Sequence, residues 1–131
     1  MNKERINELK AYLKANVAPI LVSDVDINFI KKDAVILPAN IKKSSLNGTL
    51  NEGKLLPPNW YNELVKKCNK ESTILIITDL SKISKEEQEK FYEILKYRKI
   101  GTLELPKNCI ILVNGKLEEL NETIKSLVIT M

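Results

Sequence analysis

A chain of 131 residues fits one domain, and a domain of this size buries roughly two-thirds of the surface that its unfolded chain exposes. The hydrophobic fraction of 44% and the charged fraction of 29% are those of an ordinary globular protein, and no apolar run approaches the roughly 20 residues that cross a bilayer. The sequence contains no histidine, which excludes histidine-dependent triads, Cys–His pairs and zinc sites with histidine ligands within this chain.

The first residues and the charge bear on compartment and partners. Residues 1–5 lead into a charged amphipathic stretch and not into the apolar core of a signal peptide, so we expect a cytoplasmic protein without a membrane partner. Two cysteines, Cys68 and Cys109, are too few for a disulfide framework. The net charge of +4 is spread over lysine pairs, which favours a solvated surface and leaves nucleic-acid binding through phosphates as an open alternative.

The predicted elements begin with an amphipathic helix. Ile6, Leu9 and Leu13 fall at helical spacing, and the pattern ends near Asn16. Short apolar runs follow, and runs of this kind are typical of strands that are buried on both faces of a parallel sheet. The five predicted strands are residues 19–22, 34–37, 73–77, 109–113 and 127–130.

Helices are predicted between the later strands. Asn59 follows two prolines and is the expected N-cap of one helix. Ser84 and Glu87 form a capping box for the next helix, which Gly101 would close in a left-handed conformation. The apolar spacing over residues 117–124 predicts a last helix.

Strands that alternate with helices across residues 1–131 predict a single α/β domain. The expected architecture has three layers, with a mostly parallel sheet of about five strands and helices on both faces. Ligands of such sheets bind beyond the carboxyl ends of the strands. The candidate binding residues are those that follow the apolar runs: Ser23, Asp24, Thr78, Asp79 and Asn114.

The segment from Ile74 to Asp79 has the shape of a Walker B strand, an apolar run that ends in a carboxylate able to hold magnesium directly or through water. A cap or turn role for Asp79 is the alternative. We assign no catalytic residue and no metal ligand from this pattern.

The string from Gly48 to Leu55 matches the P-loop pattern G-x-x-x-x-G-K-[ST] in all but its last position. A P-loop requires a preceding strand, a helix that begins at the lysine and a hydroxyl group for magnesium. Here polar residues precede the string, Leu55 replaces the hydroxyl and two prolines follow. The string therefore predicts a polar turn or hairpin.

Five segments of the sequence are similar, in the same order, to segments of one known family: residues 9–22, 45–48, 52–53, 57–64 and 74–115. The last of them includes Leu105-Pro106-Lys107-Asn108, which resembles an L-P-x-N entry to the sensor-1 strand. Together the segments resemble the core of a MoxR-type AAA+ ATPase, which has a P-loop NTPase fold. The resemblance implies the P-loop NTPase sheet.

The resemblance also implies losses. After its first strand the family has a P-loop, whereas this chain has Ser23 to Lys32, without a glycine nest or a P-loop lysine. The family's Walker B Asp-Glu pair aligns with Thr78-Asp79 or, shifted by one residue, with Asp79-Leu80, and neither alignment restores the pair. Asn114 approximates the sensor-1 polar residue, which the family's motif places nearer Lys116. No arginine follows the last strand, and the sequence stops at Met131, where the family continues into a helical lid. The expected protein is thus a degenerate core without Walker A and without the lid.

Three functional hypotheses follow. The first is a catalytically inactive AAA+-like domain, or pseudo-ATPase, which needs no cofactor and acts as a protein-interaction or regulatory module. The second is a minimal nucleotide-binding protein that holds ATP with magnesium through Lys54 or through Asp24, Asp26 and Asp79. The third is a nucleic-acid-associated accessory factor.

The expected partner in the first hypothesis is a protein, either a second copy of this chain or an AAA+ subunit. Trp60 and Tyr61 form an aromatic pair at a predicted helix start and are candidate anchors for such an interface. Packing of Trp60 in the core is the alternative.

Overall fold

The computed structural model describes residues 19–22 and 34–130. The predicted first helix, Ser23 and Asp24 lie outside the described residues. The described elements are, in chain order, β1 (Ile20–Val22), β2 (Val35–Pro38), α1 (Lys43–Asn47), β3 (Thr49–Asn51), β4 (Lys54–Leu56), α2 (Asn59–Cys68), β5 (Thr73–Thr78), α3 (Tyr92–Tyr97), β6 (Lys99–Ile100), β7 (Leu103–Glu104), β8 (Cys109–Asn114), α4 (Glu122–Lys125) and β9 (Ile129–Thr130). Short 3₁₀ turns lie at Leu80–Lys82, Glu87–Phe91 and Leu117–Glu119.

The main sheet has five strands in the order β2–β5–β8–β1–β9, and every neighbouring pair is parallel. In its centre Leu112 is in register with Ile76 on one side and with Ile20 on the other. This arrangement confirms the predicted parallel α/β sheet. The five predicted apolar runs match the five strands to within two residues at each end.

Both faces of the central strands are buried. On one face, Leu75 and Val113 join a hydrophobic cluster with Leu64 of α2 and Ile94 of α3. On the other face, the side chains with 1% exposure or less are Ile20, Val22, Ile76 and Leu112. Burial on both faces explains why these strands are continuously apolar and not alternating.

The glycine–lysine string folds as an antiparallel hairpin of β3 and β4. Glu52 and Gly53 form its two-residue turn with φ angles of 51° and 78°, the left-handed pair that a type I′ turn needs. Lys54 is the first residue of β4 and does not begin a helix. The hairpin prediction is confirmed.

Two predicted helix ends are wrong in detail. Pro58 is the N-cap of α2, with an extended backbone at φ −67° and ψ 152°, and Asn59 is already helical, so its side chain does not cap. Arg98, and not Gly101, ends α3 in the left-handed region with φ 55°. Gly101, three residues after Arg98, also has a positive φ of 57°, but it lies in the turn between the antiparallel strands β6 and β7.

The other helix signals are confirmed in part. The Ser84 hydroxyl oxygen accepts a hydrogen bond from the Glu87 N–H at 3.1 Å, as the capping box predicts. The predicted last helix is divided, because Leu120 is extended between the 3₁₀ turn and α4, and Asn121 caps α4 through its side chain. Within the described part of the chain, no helix is both long enough and apolar enough to span a membrane.

Candidate functional site at the carboxyl edge of the sheet

The carboxyl ends of three neighbouring strands meet at Asn114. This residue is 2% exposed and ends β8, which lies between β5 and β1. Its Oδ1 accepts a hydrogen bond from the Asp79 N–H at 3.0 Å, and its Nδ2 donates to the Val22 carbonyl oxygen at 3.4 Å. A single buried amide therefore ties the ends of three strands together.

Asp79 serves the backbone turn that follows β5. It has φ 58° and ψ 34°, a left-handed conformation that aspartate tolerates better than most residues. Its carboxylate Oδ1 lies 3.4 Å from the Lys82 Nζ, and the Asp79 side chain is 50% exposed. The carboxylate is thus half in solvent and paired with an ammonium group.

The turns that follow β5 and β8 pack against each other. The Ser81 hydroxyl oxygen accepts a hydrogen bond from the Lys116 N–H at 3.2 Å. A Cβ atom at Gly115 would lie 3.2 Å from that hydroxyl oxygen and 3.3 Å from the Ser81 nitrogen, which is tighter than an ordinary contact. Glycine at this position therefore permits the close approach of the two turns.

Thr78 connects this edge to β2. It is 7% exposed, and its carbonyl oxygen accepts a hydrogen bond from the Ala39 N–H at 2.9 Å. A cavity of about 230 Å³ lies beside Asp79 and Lys82, with Asn40 also in its wall. This volume is below the roughly 300–1,000 Å³ that small-molecule pockets occupy.

A larger, open cleft of about 660 Å³ lies between residues 40–43 and residues 84–90. Three lysines and three glutamates line it, so their formal charges cancel: Lys42, Lys43, Lys90, Glu86, Glu87 and Glu89. The Lys90 Nζ donates to the Ile41 carbonyl oxygen at 2.8 Å. Desolvation by burial lowers the pKa of Lys90, against an opposing effect of Glu87.

The structure brings three of the predicted site residues together at one edge: Thr78, Asp79 and Asn114. The Trp60 side chain is in the core: the residue is 7% exposed, and its Nε1 donates to the Leu46 carbonyl oxygen at 2.9 Å. That is the alternative the sequence left open. The Tyr61 hydroxyl group donates to the Glu104 carbonyl oxygen at 2.7 Å in an exposed position, and its interface role stays a prediction.

Sequence analysis missed Ser81 and Gly115, which complete the carboxyl edge. The signal for Gly115 was its place directly after a polar residue at a strand end, where a glycine permits close approach of a neighbouring turn. At the opposite end of β8, burial raises the pKa of the Cys109 thiol to about 12, against a lowering effect of Arg98. Among the described residues, no group of three or more acidic or cysteine side chains is arranged to hold a metal ion.

The sequence matches no protein-family model and no curated protein. Solved structures do share the fold. The RuvB Holliday junction branch migration motor of Thermotoga maritima matches with a TM-score of 0.51 and 10% identity, over 100% of this chain and 45% of that chain. A point mutant of the same protein matches with a TM-score of 0.51 and 10% identity, over 100% of this chain and 46% of that chain.

This chain spans less than half the length of the RuvB structures. Identity at this level shows the fold alone. The parallel five-stranded sheet with its helices is therefore a P-loop NTPase-like α/β fold of the kind that the AAA+ protein RuvB has.

Proposed function

We propose that residues 1–131 form one catalytically inactive AAA+-like domain, a degenerate relative of the MoxR-type core that acts as a protein-interaction or regulatory module in the cytoplasm. The hydrogen bonding of Asn114 carries this proposal. Its amide lies where ligands of open α/β sheets bind, and it bonds to the Asp79 N–H and to the Val22 carbonyl oxygen. The group best placed to contact a ligand is thus used to join strands.

The residues at the acid-pair position support the same proposal. Thr78 has no carboxylate, and it is almost fully buried. Asp79 does have a carboxylate, but its Oδ1 lies 3.4 Å from the Lys82 ammonium group. A magnesium ion would have to compete with that lysine, and magnesium sites normally use one or two carboxylates together with substrate phosphates.

An interaction role is supported by the hairpin of β3 and β4. Leu50 is 77% exposed and Leu56 is 47% exposed, although both are large apolar side chains. A cavity of about 310 Å³ lies between Leu56 and the start of α2, beside Pro57 and Pro58. Exposed apolar side chains next to a cavity are typical of interface centres. The proposed partner is an AAA+ subunit or a second copy of this chain.

The test is a titration with a fluorescent ATP analogue and magnesium, followed by thermal melting. A ligand at 100 times its dissociation constant stabilises a protein by about 2.7 kcal/mol, which visibly raises the melting temperature. We expect no saturable binding and no change in melting temperature. Micromolar binding that Asp79→Ala or Lys54→Ala abolishes would contradict the pseudo-ATPase and support the minimal nucleotide-binding protein.

The interaction surface has a separate test in sedimentation velocity over a range of protein concentrations. If the partner is a second copy, wild type sediments as a larger species at high concentration and Leu50→Asn does not, because the variant replaces an exposed apolar contact. Leu50 is so exposed that this substitution should leave folding intact. Equal self-association of wild type and variant would exclude the hairpin as the contact surface.

A further inference from the structure

The C-terminal end of α3 and the start of β6 carry two tyrosines and two lysines on one surface. We call Tyr92, Lys96, Tyr97 and Lys99 the tyrosine–lysine cluster. The two tyrosine rings meet edge to face, with centroids 6.1 Å apart and planes at 87°. Tyr97 is 56% exposed, so one of the few aromatic rings of this chain lies largely in solvent.

Both lysines lie against these rings. The Lys96 Nζ is 5.5 Å from the centroid of Tyr92 and 5.5 Å from that of Tyr97, and the Lys99 Nζ is 5.8 Å from the centroid of Tyr97. These distances are within the roughly 6 Å at which an ammonium group is attracted to an aromatic face. A hydrogen bond to Tyr92 and charge interaction with Tyr92 and Tyr97 raise the pKa of Lys96.

The local fold holds the cluster in place. Tyr92 and Lys96 are four residues apart on α3 and so lie on one helix face. Arg98 ends the helix in the left-handed region, which returns Lys99 to the side of Tyr97. The Arg98 guanidinium group points inward and donates to the carbonyl oxygens of Pro106 at 3.1 Å and Cys109 at 2.6 Å. The surface is thus attached to β8 of the central sheet.

We propose that the tyrosine–lysine cluster is a binding site for single-stranded nucleic acid, a role beyond the pseudo-ATPase function. One base stacks on the exposed Tyr97 ring in place of an ammonium group, and Lys96 and Lys99 then move from the ring to the phosphates on either side of that base. An aromatic face flanked by cationic side chains is the combination that binds single strands with little sequence preference. Duplex bases are already stacked on each other and cannot use the ring in this way.

The acidic groups nearby are compatible with this use. Glu93 lies on the same helix, but its carboxylate accepts a hydrogen bond from the Gly101 N–H at 2.6 Å and so helps to close the turn of β6 and β7. Glu104 is exposed on β7 directly opposite Lys99 in the strand register. Among the described residues, no ion pair joins Glu93 or Glu104 to Lys96 or Lys99, and both ammonium groups lie over the Tyr97 ring instead.

The test measures fluorescence anisotropy of labelled oligonucleotides with the whole chain at several salt concentrations. Wild type should bind single-stranded DNA or RNA at low salt and should bind the matching duplex more weakly. Tyr97→Ala should weaken single-strand binding roughly 5- to 100-fold, whereas Tyr97→Phe keeps the ring and the affinity. Lys96→Ala should reduce the slope of log affinity against log salt by about 0.7.

Lys66→Ala is the matched control, because Lys66 is an exposed lysine on a different helix, α2. If Lys66→Ala and Lys96→Ala lower the affinity equally, the binding is unspecific attraction to a basic protein and the proposal is overturned. Equal affinity for duplex and single strand, or no binding at low salt, overturns it as well. Thermal melting shows whether each variant is folded. If Lys96→Ala is not folded, Lys99→Gln takes its place as the lysine variant. Loss of nucleic-acid binding leaves the ATP titration unaffected, so the two proposals can fail separately.

Discussion

Residues 48–54 carry the letters of a phosphate-binding loop but form an exposed hairpin, whereas the carboxyl edge around Asn114 carries no complete motif but lies where open α/β sheets bind ligands. The two regions differ in what their backbones can offer. In the hairpin, N–H and carbonyl groups pair between β3 and β4. At the edge, the ends of three strands are bonded through one side chain. The comparison shows that the position in the sheet determines where a ligand could bind. Whether the polar groups there are free to bind one depends on their local hydrogen bonds.

The largest expected effect comes from removing the amide that closes the edge. Asn114→Ala should lower the free energy of unfolding by about 3 kcal/mol, because the Asp79 N–H loses its acceptor, while the Val22 carbonyl oxygen loses one donor and keeps the Gly115 N–H at 3.4 Å. Equilibrium unfolding in urea measures the change. The variant should also show no gain of nucleotide binding, since Thr78 still has no carboxylate and the Asp79 carboxylate is still paired with Lys82.

Asn108→Ala is the matched control at the other end of the same strand. The Asn108 Nδ2 donates to the Cys68 carbonyl oxygen at 2.7 Å, a single hydrogen bond that is partly buried. Its loss should cost about 1 kcal/mol. Equal costs for the two substitutions would mean that Asn114 does not hold the edge closed, and the comparison with the hairpin would fail.

The hairpin has its own internal comparison, between Gly48 and Gly53. Both have positive φ, but a Cβ atom at Gly48 would lie 2.4 Å from the Leu56 carbonyl oxygen, whereas one at Gly53 meets nothing within 4 Å. Gly48 also has ψ −175°, a conformation essentially restricted to glycine. Gly48→Ala should therefore cost about 2 kcal/mol or more, and Gly53→Ala about 1 kcal/mol.

Urea denaturation of the two glycine variants tests whether residues 48–55 form the hairpin described here. Unequal costs in the stated order support a hairpin with one crowded glycine and one open one. If Gly53→Ala were the more costly change, the second glycine of the string would have contacts that a free hairpin turn does not need.

A third prediction concerns the amino end of β8, where an apolar environment replaces the polar contacts of Asn114. Burial raises the pKa of Cys109 from 9.0 to about 12, so the folded protein holds the thiol proton more tightly than the unfolded chain. This contribution to stability is complete below pH 9 and is lost as the pH rises from 9 towards 12. The free energy of unfolding should fall by about 1 kcal/mol between pH 8 and pH 10 through this group.

The measurement for Cys109 is urea denaturation of wild type and Cys109→Ala at both pH values. The variant should have lower stability at pH 8 but a smaller decrease towards pH 10, because lysines, tyrosines and Cys68 are present in both proteins and only wild type has the Cys109 thiol. Identical pH dependence would show that the thiol proton does not contribute. The folded wild-type thiol should also resist alkylation at pH 8, since the thiolate is the reactive form.

Much of the fold could be predicted because buried parallel strands have a strong local signature. Continuous apolar runs such as residues 73–77 and 109–113 indicate burial on both faces before any contact is known. The hairpin was also predictable, since prolines and a missing hydroxyl exclude a P-loop at Gly48–Leu55. Sequence alone thus located the sheet and rejected the misleading motif.

The helix ends and the closing contacts were not predictable, because they depend on residues far apart in the chain. Arg98 ends α3 with its guanidinium group on the carbonyl oxygens of Pro106 and Cys109, a tertiary contact that local rules for glycine caps do not include. The bond from Asn114 to Val22 joins residues 92 positions apart. Sequence analysis named Asn114 as a candidate binding residue, which stays a prediction, and only the structure shows its hydrogen-bond partners.

The smallest effect tests the role of Asp79 itself. Asp79→Gly should raise the free energy of unfolding by about 0.5 kcal/mol, because glycine adopts the left-handed conformation at φ 58° without strain. The lost ion pair with Lys82 subtracts little, since both side chains are at least half exposed. Asp79→Ala should be less stable than Asp79→Gly, since alanine keeps the strain and loses the carboxylate. Urea denaturation of both variants measures the difference.

A loss of stability in Asp79→Gly that exceeds the loss in Asp79→Ala would show that backbone strain is not what glycine relieves here. Equal losses of stability in both variants relative to wild type would instead show that the contacts of the carboxylate itself, which both variants lack, stabilise this turn.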